Sequence, residues 1–530
     1  MDQYSKDPTY ASIPSENFSL PRHRVKKVLI NAIRSFALVL CFLASVSACD
    51  QTNPNNPLPP QKPNVVLILA DDLGIGDVGI YRQGPIQTPH IDQLARNGVK
   101  FTQAYVTHPV CSPSRAGLIT GLYQQRHGWE FNVAQRDKEY GMSTEVNTMA
   151  DTLSEIGYKN ALIGKWHLGH QRQHHPLNRG FHDFFGVLDG GTSYINSNEP
   201  GTSFVSINSS ISQRAPLDRP NAIYRNFNEV KIDDYLTDVF TDEAVNFIRE
   251  NQHQPFFLFL SHITPHTPLQ TIDKYSKRYE HLSNNRARIY ASMVASLDDS
   301  VGRIVKELET LGLSENTLIV FASDNGCAGY IEGACSNAPY SGFKRFHHEG
   351  GIRVPFIMSW HKFLPRGETY NHPVITLDLY STFVAAAGRV GFSTIDSVNL
   401  IPFVKRKINS SPHEYLYWRS GPTHAIRDER WKLMRYSIAA YTDGDLGDDG
   451  RLTAPKGGWP HTFSSEKVTL LFDLKSDPSE QNNLADEHPE VVERLTAQYE
   501  TWASSLAKPM IPAIRSTLTE INGTTVQLIF

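Results

Sequence analysis

The sequence predicts an α/β fold, a mostly parallel central sheet covered by helices on both faces. Three observations carry the prediction. Apolar runs at residues 64–70, 159–164, 255–261 and 318–323 read as strands, the most continuous of them buried on both faces. Amphipathic helical patterns separate them, clearest over residues 286–311, where Ile289, Met293, Leu297, Val301, Ile304, Val305 and Leu308 share one face. Each run also stops at residues with chemistry to offer: Asp71 and Asp72, Lys165 and His167, His262 with His266 beyond it, and Asp324 with Asn325. Ligands of such sheets bind in the crevice beyond the carboxyl ends of the strands, so four such ends predict one site.

In chain order, residues 1–48 read as an export signal. Arg22, Arg24, Lys26, Lys27 and Arg34 form a basic region, and the apolar run at 35–46 is short for a membrane span. The run ends in Val46-Ser47-Ala48-Cys49, which looks like a bacterial lipobox. Cleavage before Cys49 predicts a lipid-anchored protein of the bacterial cell envelope, its membrane contact confined to that anchor. The alternative is a cut near Ala48 and a soluble periplasmic or secreted protein. The long polar stretch before Arg22 leaves open a start downstream of Met1. Residues 49–63, rich in Asn, Pro and Gln, read as a tether. The composition is that of a large globular protein, and a net charge of −4 offers nothing for nucleic acid.

The five cysteines sort by position. Cys41 leaves with the signal and Cys49 carries lipid. Cys327 and Cys335 share a Gly-containing loop, either as a disulfide, which export allows, or as two buried thiols. Cys111 precedes Pro113, which suits the first turn of a helix, and Arg115 lies one turn further on. A helix N-terminus with a guanidinium makes an anion site, although a structural Cys would also fit there. Asp71, Asp72, Asp324 and Asn325 form a set of oxygen donors of the kind hard cations prefer. Read singly, they also suit a helix cap and a turn. No Cys/His set has zinc spacing.

Cys111-Ser112-Pro113-Ser114-Arg115, followed by Thr120-Gly121, resembles the signature of the type I, formylglycine-dependent sulfatases of the alkaline phosphatase superfamily. Gly157-Tyr158 through Gly164-Lys165-Trp166-His167 resembles the second signature, with Asn160 where Ser or Thr is usual. Ser341-Gly342-Phe343-Lys344 and Glu349-Gly350-Gly351 resemble the segment with a further sulfate-binding lysine, with His347-His348 departing from the common pair. Leu471-Phe472-Asp473-Leu474 and Asn483-Leu484-Ala485 resemble the C-terminal part of the family. The resemblance, strongest to bacterial polysaccharide sulfatases, covers nearly all of the mature chain. It implies an alkaline-phosphatase-like catalytic domain over 64–400. A smaller subdomain would follow over 401–530, with a short antiparallel sheet, including a strand pair at 415–436, and a helix at 490–506.

The resemblance also implies roles. A formylglycine-generating enzyme converts Cys111 to formylglycine, whose hydrate attacks sulfur. One calcium is held by Asp71, Asp72, Asp324 and Asn325, with residue 111 as a further ligand, and Asp324 can take the nucleophile's proton. Arg115 holds the diol, and Lys165 and Lys344 neutralise sulfate oxygens. His266 protonates the leaving alkoxide, with His262 as a less apt rival. His167 deprotonates the second hydroxyl to expel sulfate. The expected reaction is sulfate-ester hydrolysis on polysaccharide or oligosaccharide fragments. A broad arylsulfatase, a phosphonate or phosphate monoester hydrolase, and an inactive surface binder of sulfated glycan are the alternatives. Candidate specificity residues are the loop with His170, Arg172, His174, His175 and Arg179, and the aromatic residues Tyr194, Tyr340, His347 and Trp418.

Overall fold

Five parallel strands form the middle of a ten-stranded sheet. In chain order the ten are β1 (Asn64–Ala70), β2 (Val99–Phe101), β3 (Lys159–Lys165), β4 (Asp183–Val187), β5 (Ile223–Arg225), β6 (Asn228–Val230), β7 (Phe256–Ser261), β8 (Thr317–Ser323), β9 (Phe356–Ser359) and β10 (Glu368–Tyr370). Their spatial order is β10-β2-β9-β8-β1-β7-β3-β4-β5-β6. The parallel block is β8-β1-β7-β3-β4, and β9 and β5 flank it in antiparallel sense. Register sets up the site. Ala70 lies level with Ser323, Leu69 with Ser261, and Ser261 with Gly164, so the residues that follow all leave at one edge.

This computed structural model describes residues 62–133, 138–205, 221–331, 333–389, 396–438, 445–446, 452–453, 466–511 and 515–529. The expected signal segment, the expected lipobox with Cys49 and nearly all of the expected tether lie outside the described residues. Residues 62–530 form one compact unit, and no described helix is long and apolar enough to cross a membrane.

Alternation along β1 explains why its run is apolar throughout. Val66 and Ile68 enter the core on one face, Val65, Leu67 and Leu69 the core on the other. Complete burial of a large aliphatic side chain contributes ~1.5–3 kcal/mol, so a polar residue inside this strand would be costly. Helices α1 (Cys111–Thr120), α2 (Leu236–Glu250) and α3 (Asn285–Thr310) supply the covering layers, with α2 and α3 on one face and α1 on the other. The α3 helix begins one residue before the expected start because the Asn284 side chain accepts from the amides of Arg286 and Ala287.

The C-terminal part has a four-stranded antiparallel sheet of β11 (Leu416–Ser420), β12 (Thr423–Arg427), β13 (Trp431–Ser437) and β14 (Lys467–Asp473), covered by α4 (Pro489–Ala503). The stretch expected as a strand pair thus makes three strands. Its core, including Trp418, Met434, Leu471, Leu495 and Trp502, is continuous with Tyr105, Ile352 and Val354 from the larger sheet region.

Candidate active site

The α1 helix is buried over all ten residues, which makes its N-terminus a fixed point. Val110 is the extended N-cap, Pro113 sits in the first turn, and Gly121 ends the helix at φ 66°. Cys111 is the first helical residue. Its Sγ lies 3.5 Å from Asp71 Oδ1, 3.9 Å from Asp72 Oδ1 and 3.0 Å from Lys344 Nζ. One turn on, Arg115 donates through Nε to Asp324 Oδ2 at 2.8 Å and through a terminal nitrogen to Ser261 Oγ at 2.6 Å.

The strand ends complete the cluster. Lys165 Nζ, at the end of β3, lies 2.5 Å from Asp71 Oδ2. Lys344 Nζ donates to both oxygens of Asp72, at 2.6 and 2.8 Å. The Lys344 amide bonds the Cys327 carbonyl at 2.9 Å, and Cys327 is paired with Cys335 in a disulfide, one of the two expected states. Asn325 donates through Nδ2 to Asp72 Oδ1 at 2.6 Å, while its buried Oδ1 has no hydrogen-bond partner. Asp72 and His167 hold φ values of 63° and 61°. For non-glycine residues this backbone is costly, on the order of 1–3 kcal/mol, and such strain clusters at functional sites. His167 is held by the Ser112 hydroxyl, which donates to its carbonyl at 2.6 Å, and the Trp129 indole donates to that hydroxyl.

Two histidines face the cluster in different ways. His266 Nδ1 lies 2.6 Å from the Thr267 carbonyl, so it carries the hydrogen, and Nε2 lies 3.7 Å from Asp72 Oδ2. Burial pulls His266 down to about 3, against the pull of Asp72. His167 is held well below the usual histidine range by burial and then by Lys165 and Arg115, and its Nδ1 has no partner. Burial pushes the Cys111 thiol up to about 12, against Lys165 and Lys344. Burial would also raise Asp72, but Lys344 and His266 outweigh it and hold the carboxyl below the usual range. Asp324 is raised by burial and then by Asp71.

All ten sequence-predicted site residues therefore lie in one place: Asp71, Asp72, Cys111, Arg115, Lys165, His167, His266, Asp324, Asn325 and Lys344. One atom each of Asp71, Asp72, Cys111 and His266 falls within 4.8 Å of the others, close enough to share a cation. His262 is elsewhere, buried against Ser300 Oγ at 2.9 Å. Other expectations need correction. Trp418 is fully buried and donates to the Val106 carbonyl, so it cannot stack on a sugar. Tyr194 is buried, stacks on Tyr235, and donates to the His266 carbonyl. His347 is buried between His108 and Tyr436. Of the histidine-rich loop, His174, His175 and Arg179 are buried and tied to carbonyls of Met142, Asn226, Ser143 and Val146. Sequence reasoning missed Ser261, whose place at the end of β7 could have revealed it. It also missed Tyr330, whose hydroxyl lies 3.4 Å from Asp72 Oδ2 and whose loop carries no motif.

The sequence model described as "Sulfatase" matches residues 63–389, and the "C-terminal region of aryl-sulfatase" matches residues 410–521. The chain is 31% identical to the N-acetylgalactosamine-6-sulfatase of Mus musculus, over 84% of this chain and 87% of that one. It is 30% identical to the steryl-sulfatase of Homo sapiens, over 85% and 92% of the two chains. Among solved structures, Ps i-CgsB, determined in complex with k-i-k-neocarrahexaose, superposes with a TM-score of 0.72 at 33% identity, covering 85% of this chain and 94% of that one. The fold, the site at the strand ends and these similarities lead to one conclusion: the chain belongs to the sulfatase family and is a sulfuric ester hydrolase.

Proposed function

We propose that the protein removes sulfate from carbohydrate esters, through formylglycine at position 111 and one bound calcium. The observation that carries this reading is the buried convergence of Cys111 with three carboxylates, three cationic side chains and the unpartnered Asn325 Oδ1. The donor set fits a hard divalent cation. Asp71, Asp72, Asp324 and Asn325 offer oxygen, and a buried amide oxygen without a partner is a site a cation satisfies. A bound calcium would supply positive charge beside a sulfate oxygen and the nucleophile. Formylglycine, as its hydrate, would supply a hydroxyl nucleophile in place of a thiol that burial keeps protonated.

The chain's own residues do the rest. Lys165 and Lys344 flank position 111 and neutralise sulfate oxygens as charge spreads over them. Arg115, clamped by Asp324 and Ser261, orients the residue one turn before it. His266 presents Nε2 toward the cluster because Nδ1 is committed to Thr267. Burial disfavours its charged form; the negative charge of a sulfate ester beside it opposes that and favours a proton on Nε2, which is then placed to protonate the leaving oxygen. His167, kept neutral, accepts a proton at a ring nitrogen to release sulfate.

The similarity to an N-acetylgalactosamine-6-sulfatase and to a protein bound to neocarrahexaose supports a carbohydrate substrate. The similarity to steryl-sulfatase supports a second reading, a broader sulfatase that also takes hydrophobic esters. The lipobox at Cys49 supports a lipid-anchored location in the cell envelope, with a formylglycine-generating enzyme as maturation partner. Sulfate release from defined sulfated oligosaccharides, a steryl sulfate and an aryl sulfate, using protein matured by that enzyme, tests the proposal. Turnover of the steryl and aryl esters alone would refute the carbohydrate reading.

A further inference from the structure

Four of the five parallel strands, β1, β3, β7 and β8, end in the site described above. The fifth is β4, and its end has no role so far. After Val187 and Leu188 it delivers Asp189-Gly190-Gly191. Backbone bonds join this segment to the chain leaving β3: the Trp166 amide donates to the Val187 carbonyl and the His167 amide to the Leu188 carbonyl. The result is close contact with both site histidines. A Cβ on Gly190 would stand 2.8 Å from His167 Cε1, and one on Gly191 would stand 3.4 Å from His266 Nδ1. A Cβ at Gly190 would crowd the His167 ring, whereas one at Gly191 would only touch His266 at ordinary contact distance, so the glycine at 190 is what lets this segment pass so near His167.

Beside these glycines, Asp189 Oδ1 lies 2.7 Å from His170 Nε2. The two side chains are 12% and 13% exposed, so each is mostly buried but keeps some access to solvent. His170 is close enough to His167 to disfavour its charged form, and its own Nδ1 has no partner. A carboxylate held by an imidazole beside a site is a fixed hydrogen-bond acceptor.

We infer that Asp189 accepts a hydrogen bond from a sugar hydroxyl neighbouring the sulfate ester, so that Asp189 determines specificity and His170 is its positioning residue. This rests on the carbohydrate reading. An aryl ester has no hydroxyl to offer there, which separates recognition from chemistry.

The test compares wild type with Asp189→Ala, Asp189→Asn and His170→Gln. The probes are 4-nitrophenyl sulfate, galactose and N-acetylgalactosamine monosulfates, sulfated oligosaccharides, and deoxy analogues of the best sugar substrate lacking one neighbouring hydroxyl each. Asp189→Ala is expected to lower kcat/KM on the sugar about tenfold to a hundredfold, while the aryl ester changes by less than about threefold. One deoxy analogue should show the same loss with wild type and no further loss with the variant. Asp189→Asn, which keeps the side-chain volume, should show the same selective loss in smaller measure, and serves if Asp189→Ala does not fold. His170→Gln should act through KM on the sugar. Equal losses on both substrates, or none on the sugar, would overturn the inference. Wild type that cleaves the aryl ester but no sugar sulfate overturns the carbohydrate reading itself, and this inference with it.

Discussion

Two buried clusters of charge among the described residues are built for different ends. In the first, Asp71, Asp72 and Asp324 meet Arg115, Lys165 and Lys344 at the ends of β1, β3 and β8 and around the N-terminus of α1. In the second, Lys432 of β13 lies 2.8 Å from both Glu349 and Glu480. Glu349 also takes Arg353 at 3.1 Å and the Tyr105 hydroxyl at 2.6 Å, and Arg427 donates to that hydroxyl. Backbone strain does not separate them, since Glu480 has φ 57° much as Asp72 has 63°. What separates them is accommodation for something else. The first keeps Asn325 Oδ1 and His167 Nδ1 without partners and a cysteine among its charges. The second joins the C-terminal sheet to the catalytic region through ion pairs among its own charges, with the Glu349 amide donating to Glu480 Oε2 at 2.7 Å. Burying charge is costly in either place. In one the cost leaves a site poised for an anionic ligand, and in the other it fixes how two sheets dock.

Breaking each cluster should therefore fail differently. The largest effect is expected at the nucleophile. Cys111→Ala should show no detectable sulfate release while its melting temperature stays within about 2 °C of wild type. Mass spectrometry of the peptide containing position 111 should find formylglycine in active preparations, and equal turnover by protein shown to lack the aldehyde would refute the mechanism. Next comes the cation. Asp72→Asn should lose more than about a thousandfold in kcat/KM. Calcium should raise the melting temperature of chelator-treated wild type and leave that of the variant unchanged; an equal rise in both would remove Asp72 from the cation site.

In the second cluster the signature reverses. Lys432→Met leaves two buried carboxylates without their shared ammonium and should cost ~3–5 kcal/mol in denaturant unfolding. Turnover per folded molecule should be retained. A proportionate fall in kcat without loss of stability would show that the two clusters are coupled.

A subtler test uses pH. Glu349 and Glu480 share Lys432 and titrate as a pair. Burial would raise Glu349, but Lys432, Arg353 and Arg427 hold it at about 2, while burial pushes Glu480 up to about 7 against Lys432. For an acid raised in the folded state, the unfolded chain loses its proton first. The Glu480 contribution is thus fully present below its unfolded value of 4.5 and is lost as pH rises through about 7. Between these values Glu480→Gln should show a flatter fall in stability with pH than wild type, and parallel curves would contradict the assignment. The smallest effect is expected at Trp418. Trp418→Phe removes the bond to the Val106 carbonyl and should cost ~1 kcal/mol without altering KM for any sugar; a changed KM would return Trp418 to the substrate site.

Much of this protein was determined by the order of its residues alone. Strands buried on both faces need unbroken apolar runs, so the points where Asn64–Ala70, Phe256–Ser261 and Thr317–Ser323 break into Asp71, His262 and Asp324 are visible in the sequence. Cys111 with Pro113 and Arg115 announces a helix start for the same local reason: proline and helix spacing act over a few residues. What only the tertiary structure decided depends on which neighbours arrive from far along the chain. The left-handed backbone at Asp72 and His167 is imposed by packing, since neither residue type requires it. Trp418, His174 and Arg179 look like surface chemistry in the sequence, yet partners at Val106, Met142 and Val146 bury them. Tyr330 comes within 3.4 Å of Asp72 because a disulfide loop carries it there, and Asp189 lies next to the glycines that touch His167 because the fifth parallel strand delivers it. Local preference acts over a turn or a strand, whereas burial is settled by the whole chain.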